Sequence, residues 1–443
     1  MTDNQPSKES SNKIQADSTG ELSDSKSWVL PSIVIIFIGI VAACYSRFFL
    51  SPPNQLPPNI LLKRPPHRIP AATWHQKSRA DVNGPLTDEQ IRSYNEDGFL
   101  ILPRFFEDFL PSLQSDVEGL IDGLADELHA TGRVRSTYAN ESWTKRLLKL
   151  TKDYPDAPMV LIKGGVLPRN FQRLFEDPRM LDAAHQLGVG PSVAVNAAWN
   201  LRAKMKKHEE TTVPWHQDNS YWEPRIWDEH VMTVWVALVD ANVDNGCMQF
   251  IRGGHKSGKT ARHTIGSTTR TWYTEATVED ITQDLFAQGE NASNHIVTAQ
   301  VPAGTAILFP GTTPHRSLNS ATDDIRWSAD YRLHPGGSAS RPGKTPLDWF
   351  YGLKDSLLLR DGIADSDYVP DWSAWALEER TKMQDDGLGA EAPPFDPVIV
   401  GPWMDLWDIV AHEDGLDNPH VERYMTTDAA KRSGGEGYLP DKW

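Results

Sequence analysis

The chain has 443 residues, of which 39% are hydrophobic and 23% are charged, a composition typical of a globular protein. Its net charge of −16 at pH 7 argues against a nucleic-acid partner, because such a partner requires a basic surface. The chain contains two cysteines, and Cys44 lies in an apolar N-terminal run. A disulfide framework and a cysteine-based zinc site are therefore both excluded.

Three segments of different composition precede the folded part of the chain. Residues 1–27 are rich in Ser, Asp, Lys and Glu, which predicts a disordered tail. Residues 28–45 carry no charge and are long enough to cross a hydrocarbon core, so they predict a single transmembrane anchor. A buried helix or a cleaved signal peptide is the alternative, although a signal peptide normally starts with a short basic region. Residues 51–85 are proline-rich and predict a stiff linker.

The charges on either side of the apolar segment bear on its orientation. Three lysines precede it, and four basic residues lie between positions 47 and 68, which slightly favours a cytosolic folded domain. Asn140 and Asn291 begin glycosylation sequons that matter only in a lumen. We therefore expect a single-pass membrane location and leave the side of the membrane open.

Helical patterns come first in the folded part. Thr87 or Asp88 can cap a short helix that ends at Gly98. Residues 105–130 and 170–187 show apolar side chains at helical spacing. The first half of the domain is therefore expected to be helical.

Short strands follow from about residue 190. Segments such as VMTVWVALVD and IRWSADYRLH are punctuated by Gly and Pro, which predicts a β-sandwich or barrel rather than βαβ units. We place the main domain at residues 86–340. Residues 341–443 are loop-rich and are expected to pack on it as a C-terminal extension.

The stretch 213–219, VPWHQDN, carries the main chemical signal. On a strand alternate side chains share a face, so His216 and Asp218 point the same way. Alone, such a pair is more often an ordinary polar contact than a metal site. A second histidine, His315, follows the apolar strand at 303–311, which can lie beside the first. Two imidazoles and one carboxylate leave three positions of an octahedron free, the arrangement suited to non-haem Fe(II) oxygenases.

The open positions of such a metal require a co-substrate. Arg326 lies on the strand after His315, and its guanidinium can hold the distal carboxylate of 2-oxoglutarate in a bidentate manner. Ser317 can add a hydroxyl donor. A surface charge on an edge strand is the plain alternative for Arg326, and Arg332 is the runner-up because it shares the same face.

These motifs resemble the phytanoyl-CoA dioxygenase family. The resemblance is carried by WHQD at 215–218, VWVAL at 234–238, DNGC at 244–247, GHK at 254–256, PAG at 302–304 continuing through His315 to Arg326, and EDGFL at 96–100. Together they span roughly residues 86–335, most of the expected folded chain. One departure is Arg252, where the family's loop usually carries Pro.

The resemblance implies a mainly β fold with flanking helices, a double-stranded β-helix or jelly roll whose mouth holds iron. The residues that it implies for the catalytic and metal site are His216, Asp218 and His315. The residues that it implies for 2-oxoglutarate are Arg326, Ser317, Trp235 and Lys163. The implied cofactors are Fe(II), 2-oxoglutarate and O2, with ascorbate as an additional reductant. Related halogenases replace the carboxylate of Asp218 with a small residue, so oxygenation is expected here.

The expected reaction is hydroxylation of a small organic substrate with release of succinate and CO2. A membrane anchor favours a lipid-like or acyl substrate. Tyr221, Trp222 and Trp227 can line an apolar pocket or simply pack under a loop, and the basic run at 202–208 can receive an anion or form a solvated turn. Six further histidines are expected to be structural: His208, His230, His255, His263, His295 and His334.

The rival interpretation is a non-catalytic protein. A membrane-tethered jelly roll that binds a metal or ligand, or that serves as an interaction module, would carry the same metal ligands. A further alternative is a different metal hydrolase or a cupin-like isomerase with the same three ligands, which would leave Arg326 and Ser317 without a role. The sequence does not predict an oligomeric state.

Overall fold

In the computed structural model, helices fill the first part of the described chain and strands dominate from residue 193 onwards. The described residues are 60–63, 82–164, 167–196, 199–222, 226–227, 229–336, 356–362, 368–372 and 395–427. The helices are α1 (Asp88–Asp97), α2 (Leu110–Ala130), α3 (Trp143–Asp153), α4 (Ala157–Gly164), α5 (Arg169–Phe175), α6 (Pro178–Gln186), α7 (Val278–Leu285) and α8 (Pro419–Met425). The strands are β1 (Ile60–Leu62), β2 (Leu100–Leu102), β3 (Val193–Val195), β4 (Asn200–Lys204), β5 (Met232–Ala237), β6 (Met248–Ile251), β7 (Thr264–Ile265), β8 (Thr274–Glu275), β9 (Ile296–Ala299), β10 (Ala306–Pro310), β11 (His315–Ser317), β12 (Arg326–Pro335), β13 (Leu357–Arg360) and β14 (Asp408–Val410).

The ends of several helices follow from local sequence. The Thr87 hydroxyl accepts a hydrogen bond from the backbone N–H of Gln90, and the Gln90 side chain accepts one from the N–H of Thr87. This capping box starts α1, and Gly98 at φ +84° ends it, as predicted. The helical pattern at 170–187 is divided into α5 and α6, because Asp177 caps a new helix with a proline in its first turn.

Two antiparallel sheets form the centre of the molecule. The larger has the order β13-β3-β12-β5-β10-β2, with β4 also paired to β12, and the smaller has the order β11-β6-β9. A buried apolar cluster joins their inner faces and includes Phe99, Trp235, Phe250, Ile307 and Phe309. Two facing antiparallel sheets around such a core are the arrangement of a β-sandwich or jelly roll.

The two faces of strand β12 differ, because one carries apolar side chains and the other carries polar ones. Its residues Trp327, Ala329, Tyr331 and Leu333 belong to the main hydrophobic core with helices α2 to α6, and the Tyr331 ring stacks on Phe175 at 4.1 Å. Because side chains alternate along a strand, the intervening polar residues point to the inner face. These are Arg326, Ser328, Asp330 and Arg332, all of them buried.

A third sheet, with the order β1-β14-β7-β8, joins the two ends of the described chain. Ile60 and Leu62, which lie in the predicted linker, pair with β14. In the C-terminal segment 395–427, the indole N–H groups of Trp403 and Trp407 donate to the carbonyls of Trp272 and Ser220, at 3.0 and 2.8 Å. The proposed domain boundaries stay a prediction, but this part of the extension packs on the β-core.

The predicted transmembrane helix requires a correction. Residues 28–45, on which it was placed, lie outside the described residues. Within the described ranges, no helix is both long enough and apolar enough to cross a bilayer. The predicted fold class is wrong in its membrane-spanning element, and the predicted single-pass membrane location is corrected with it. The function proposed below depends on neither.

Candidate active site

The two histidines of the predicted site are held side by side by the backbone. The N–H of His216 donates to the carbonyl of His315 at 3.0 Å, and the N–H of His315 donates back at 2.9 Å. His216 forms only this isolated bridge, and a 3-10 turn, Asp218–Tyr221, begins directly after it. The predicted strand at 213–219 is therefore shorter than expected, yet it still brings the three side chains together.

Gln217 fixes the short segment between the two ligand positions. Its side chain is fully buried and donates to the carbonyls of Lys259 and Thr312, at 2.9 and 2.6 Å. Its backbone N–H donates to Nε2 of His263 at 3.1 Å. Since every polar group of Gln217 is engaged by the fold, the backbone that carries His216 and Asp218 has little freedom.

The ligand atoms converge on one point. Nε2 of His216 lies 3.4 Å from Oδ1 of Asp218, and Nε2 of His315 lies 3.7 Å from the same oxygen. All three potential ligand atoms lie within 4.8 Å of one another, and all three residues are buried. This spacing is compatible with a single metal ion bonded at about 2.0–2.2 Å to each.

Hydrogen bonds select the imidazole form that can bind a metal. Nδ1 of His216 faces the carbonyl of Pro214 at 2.9 Å, and Nδ1 of His315 faces the carbonyl of Thr313 at 3.0 Å. A carbonyl only accepts, so each Nδ1 carries the proton and each Nε2 keeps a lone pair. Burial lowers the pKa of His315 to about 3, which keeps this ring neutral near pH 7.

The carboxylate of Asp218 is divided between two functions. Its Oδ1 faces the histidines, whereas its Oδ2 accepts from the Thr233 hydroxyl at 2.5 Å and from Nε and Nη2 of Arg332 at 3.3 and 3.2 Å. Burial by itself raises the pKa of Asp218, but the Arg332 guanidinium opposes it and holds the pKa well below its ordinary value. Asp218 is therefore ionised and oriented as a metal ligand would need to be.

The Arg332 guanidinium forms ion pairs with two buried carboxylates, one of which is that of Asp218. It also pairs with Asp330, whose other oxygen accepts from Nε of Arg202 at 2.8 Å. Arg332 was the runner-up for holding the co-substrate, and its two carboxylate partners explain why it does not suit that role. The inner face of the sheet thus carries an alternating line of charges that ends at the metal ligand.

Arg326 differs from Arg332 in its partners. It is 2% exposed, and its guanidinium donates only to the Ser328 hydroxyl at 2.6 Å and to the Gly246 carbonyl at 3.0 Å. Among the described residues, no carboxylate lies within ion-pair distance of it. Burial lowers the pKa of Arg326 to about 10, so it remains a cation at neutral pH.

One cavity connects the metal ligands to the predicted co-substrate residues. It has an empty volume of about 450 Å³ and is lined by His216 and His315 together with Arg326, Ser317 and Trp235. The Arg326 guanidinium lies over the Trp235 ring at 5.4 Å, and the Ser317 oxygen accepts from the N–H of Val213 at 3.1 Å. The Ser317 hydroxyl hydrogen therefore remains available for a ligand.

Other candidate residues lie elsewhere or stay predictions. Lys163 falls in helix α4, and its place at the site stays a prediction. Trp222 and Trp227 are buried, and Trp227 donates to the Trp222 carbonyl at 3.1 Å, which favours packing over substrate contact. The basic run forms no continuous exposed patch, because Lys204 is buried.

Two groups that hold Asp218 in place, Thr233 and Arg332, were not predicted to do so from the sequence. Thr233 precedes Trp235 by two positions on β5, so strand periodicity alone could have placed both on the inner face. The role of Arg332 toward Asp218 had no local signal, because the two residues are 114 positions apart. Both donors orient a metal ligand from the side opposite the metal.

The donor set fits iron. Two imidazole nitrogens and one carboxylate oxygen lie close together, and the two imidazoles line a cavity that leaves room for further ligands. Such a two-histidine, one-carboxylate set inside a β-sandwich is the site of the non-haem Fe(II) oxygenases. The residues present are therefore those that this class of enzyme requires.

The chain belongs to the phytanoyl-CoA dioxygenase (PhyH) family, which matches residues 94–328, more than half of the 443 residues. The family resemblance predicted from the motifs is confirmed. The protein is accordingly a non-haem iron dioxygenase whose cofactors are Fe(II) and 2-oxoglutarate.

Individual relatives are distant. Ectoine dioxygenase of Bordetella bronchiseptica is 25% identical over 242 residues, which cover 52% of this chain and 70% of that protein. Phytanoyl-CoA dioxygenase domain-containing protein 1 of Mus musculus is 23% identical over 288 residues, covering 58% and 94%. Among solved structures, EctD from S. alaskensis with 2-oxoglutarate and 5-hydroxyectoine matches with a TM-score of 0.40 and 19% identity, covering 68% and 95%.

Proposed function

We propose that the protein hydroxylates a small organic substrate at an iron held by His216, Asp218 and His315. In this proposal Arg326 and Ser317 bind the distal carboxylate of 2-oxoglutarate. The observation that supports it most strongly is the shared cavity, which is lined by two of the three converging residues, His216 and His315, and by the buried guanidinium of Arg326, which has no acid partner among the described residues. A lipid-like or acyl substrate is not part of the proposal, because that expectation rested on the membrane anchor.

The protein's contribution to the reaction is orientation and exclusion of water. When bound, Fe(II) and 2-oxoglutarate supply the oxidation, in which one oxygen atom of O2 enters the substrate and the other enters succinate as CO2 is released. Thr233 and Arg332 keep Asp218 turned toward the metal. The carbonyls that hold each Nδ1 prevent the imidazoles from rotating.

The co-substrate end of the cavity is suited to one orientation of an oxo acid. The cationic Arg326 at one end attracts a carboxylate, and the metal ligands at the other attract the chelating oxo-acid group. Trp235 forms the wall between these ends through its contact with Arg326. Because the site is buried, its charges act with little screening by water.

The first test uses the full-length protein loaded with Fe(II) under anaerobic conditions. Addition of 2-oxoglutarate is expected to produce the visible charge-transfer band of a chelated oxo acid. His315→Ala should abolish the band, whereas His295→Ala, a partly exposed histidine away from the cavity, should keep it. Absence of the band from wild-type protein with iron shown to be bound would overturn the proposal.

A second measurement separates an enzyme from a non-catalytic binding protein. With O2 admitted, slow conversion of 2-oxoglutarate to succinate without added substrate is expected of the wild type. A protein that shows the charge-transfer band but forms no succinate, alone or with any substrate screened, would support the non-catalytic alternative instead.

A further inference from the structure

The turn that carries Asp218 (residues 217–221, the ligand turn) contacts a part of the chain that lies outside the family match at 94–328. The indole N–H of Trp407 donates to the carbonyl of Ser220 at 2.8 Å. Ser220 is fully buried and Trp407 is 6% exposed, so water does not supply a replacement donor. The bond therefore fixes the ligand turn two residues after Asp218.

The pairing of β14 with β7 determines where Trp407 lies. The two strands are parallel, with Asp408 opposite Thr264, so Trp407 comes beside His263. Their rings lie 4.9 Å apart, and the Trp227 ring stacks on Trp407 at 6.0 Å with an angle of 8° between the planes. The strand pairing and two ring contacts therefore fix the position of the indole that holds the ligand turn.

His263 connects the same pair of strands to the other end of the ligand turn. Its Nε2 accepts from the backbone N–H of Gln217 at 3.1 Å. A further contact comes from β8, where the hydroxyls of Thr274 and Ser220 share a hydrogen bond at 2.5 Å. The third sheet and the residues that flank its strands therefore hold Gln217 and Ser220, between which Asp218 lies.

The C-terminal segment fits closely against the hairpin formed by β7 and β8. A Cβ atom on Gly266, in the loop of this hairpin, would lie only 2.9 Å from the carbonyl oxygen of Val410. The side chains of Trp403 and Asn418 donate to backbone carbonyls of the same loop, at 3.0 and 3.1 Å. The hairpin and the C-terminal segment therefore form one packed unit beside the ligand turn.

The side chain and the backbone of Asp218 are thus fixed by different sheets. Thr233 and Arg332 of the larger sheet hold Oδ2, whereas contacts from the third sheet hold the backbone of the ligand turn. A shift of this backbone would move Oδ1 relative to Nε2 of His216 and Nε2 of His315. Binding sites of this kind must be held within about 0.5 Å of their productive geometry, so both sets of contacts are needed.

We propose that residues 403–410 are a positioning element of the metal site, in which Trp407 holds the ligand turn in the conformation that presents Asp218 to the metal. The inference rests on the proposed function, because it concerns the same three ligands. Trp407 contacts none of the ligand atoms and acts through the carbonyl of Ser220. The metal site is thereby extended to a part of the chain beyond the family match.

The test measures the affinity of the metal-free, full-length protein for Co(II) by competition with a fluorescent chelator. Trp407→Phe keeps an aromatic ring beside His263 and Trp227 but removes the indole N–H. Trp327→Phe is the matched control, because the indole N–H of this buried residue also donates to a backbone carbonyl, that of Trp143 at 3.2 Å. Trp327 lies on the face of β12 that packs in the main core, away from the ligand turn. Urea titration shows that each variant is folded.

Trp407→Phe is expected to weaken Co(II) binding about 10-fold, at the lower end of the effect of losing a partner that orients a ligand, and to change the ligand-field absorption of the bound ion. Trp327→Phe should change neither, even if it lowers the urea midpoint as much. The inference is overturned if Trp407→Phe binds Co(II) as tightly as the wild type does, or if the two variants lose the same affinity. A wild-type protein that binds no Co(II) would instead contradict the proposed function.

A measurement on the wild-type protein does not depend on how a variant folds. Coupling between two binding contacts is reciprocal, so metal binding must stabilise the segment if the segment favours the metal-binding conformation. Hydrogen exchange at labelling times too short for global unfolding is therefore expected to slow at 403–410 when Co(II) is added, and to stay unchanged in β13 (Leu357–Arg360), which pairs with β3. Unchanged exchange at 403–410, with Co(II) shown to be bound, would overturn the inference.

Discussion

Replacing Thr233 with valine tests how the fold orients the metal ligand Asp218. The substitution keeps the shape of the side chain and removes the one hydroxyl that donates to Oδ2 of Asp218, at 2.5 Å. The remaining donors to this oxygen are Nε and Nη2 of Arg332 at 3.3 and 3.2 Å, longer than an ordinary N–H···O bond of about 2.9 Å. Thr233 therefore makes the shortest hydrogen bond to the carboxylate oxygen that faces away from the metal.

The magnitude follows from the burial of both partners. Thr233 and Asp218 are 1% and 2% exposed, so water cannot replace the missing donor. Loss of a hydrogen bond to a buried charge costs about 1.5–3 kcal/mol in the metal-free protein. Loss of an outer-shell partner that orients a ligand typically weakens metal binding by about 10- to 100-fold. We expect both effects in Thr233→Val.

The assay is competition for Co(II) or Fe(II) between the metal-free protein and a fluorescent chelator under anaerobic conditions. Thr305→Val is the control, because Thr305 is fully buried but accepts only from the backbone N–H of Arg104. The control should bind metal as tightly as the wild type does. If Thr233→Val also binds metal within about twofold of the wild type while Asp218→Ala does not, the reasoning about Oδ2 is refuted.

Three further substitutions probe the same framework. Arg332→Met should lower the free energy of unfolding of the metal-free protein by about 3–5 kcal/mol, since it leaves the buried carboxylate of Asp218 without its cationic partner and removes one of the two cations beside Asp330. Excess Co(II) should restore part of this loss, and equal losses with and without metal in urea titrations would contradict the reasoning. Burial lowers the pKa of His334 to about 4, so between pH 6.5 and 4 the unfolded chain binds a proton that the folded protein does not, and stability falls as the pH falls. Between about pH 8 and pH 5, the free energy of unfolding of His334→Leu should therefore fall by about 2 kcal/mol less than that of the wild type. Equal decreases in the two proteins would contradict this role of His334. Gly246→Ala should lower the free energy of unfolding by at least about 1 kcal/mol, because the φ of +85° at this position disfavours a side chain. It should also weaken 2-oxoglutarate binding. An unchanged urea midpoint would show that the loop adapts.

The cluster of His216, Asp218 and His315 could be predicted from the sequence because its geometry is mostly local. His216 and Asp218 are two residues apart, and His315 follows the apolar strand β10, which pairs with the strand that carries Trp235. The conclusion that His216 and Asp218 point together holds although only His216 has a strand bridge, since the buried Gln217 between them fixes the turn. The two side chains therefore point together although the predicted strand is shorter than expected.

What could not be predicted depends on partners far away in the chain. Period-two alternation places Arg326 and Arg332 on one face of β12, but it does not say which of them meets an acid. That depends on the register of β5 against β12, which sets Thr233 opposite Arg332. In the same way, no local pattern indicates that β14, near the C-terminus, pairs with β1 and β7.

The inner face of β12 divides the cavity into two electrostatic ends. At one end Arg332 pairs with both Asp330 and Asp218 and keeps Asp218 ionised, which suits a site for a metal cation. At the other end Arg326 has no acid partner in the described ranges, which suits a site for an anion. In the proposed function, 2-oxoglutarate would bridge these ends, with its keto acid group at the metal and its far carboxylate at Arg326. The same alternation that buries Trp327 and Tyr331 in the core would then supply residues to both ends of the co-substrate site from one strand.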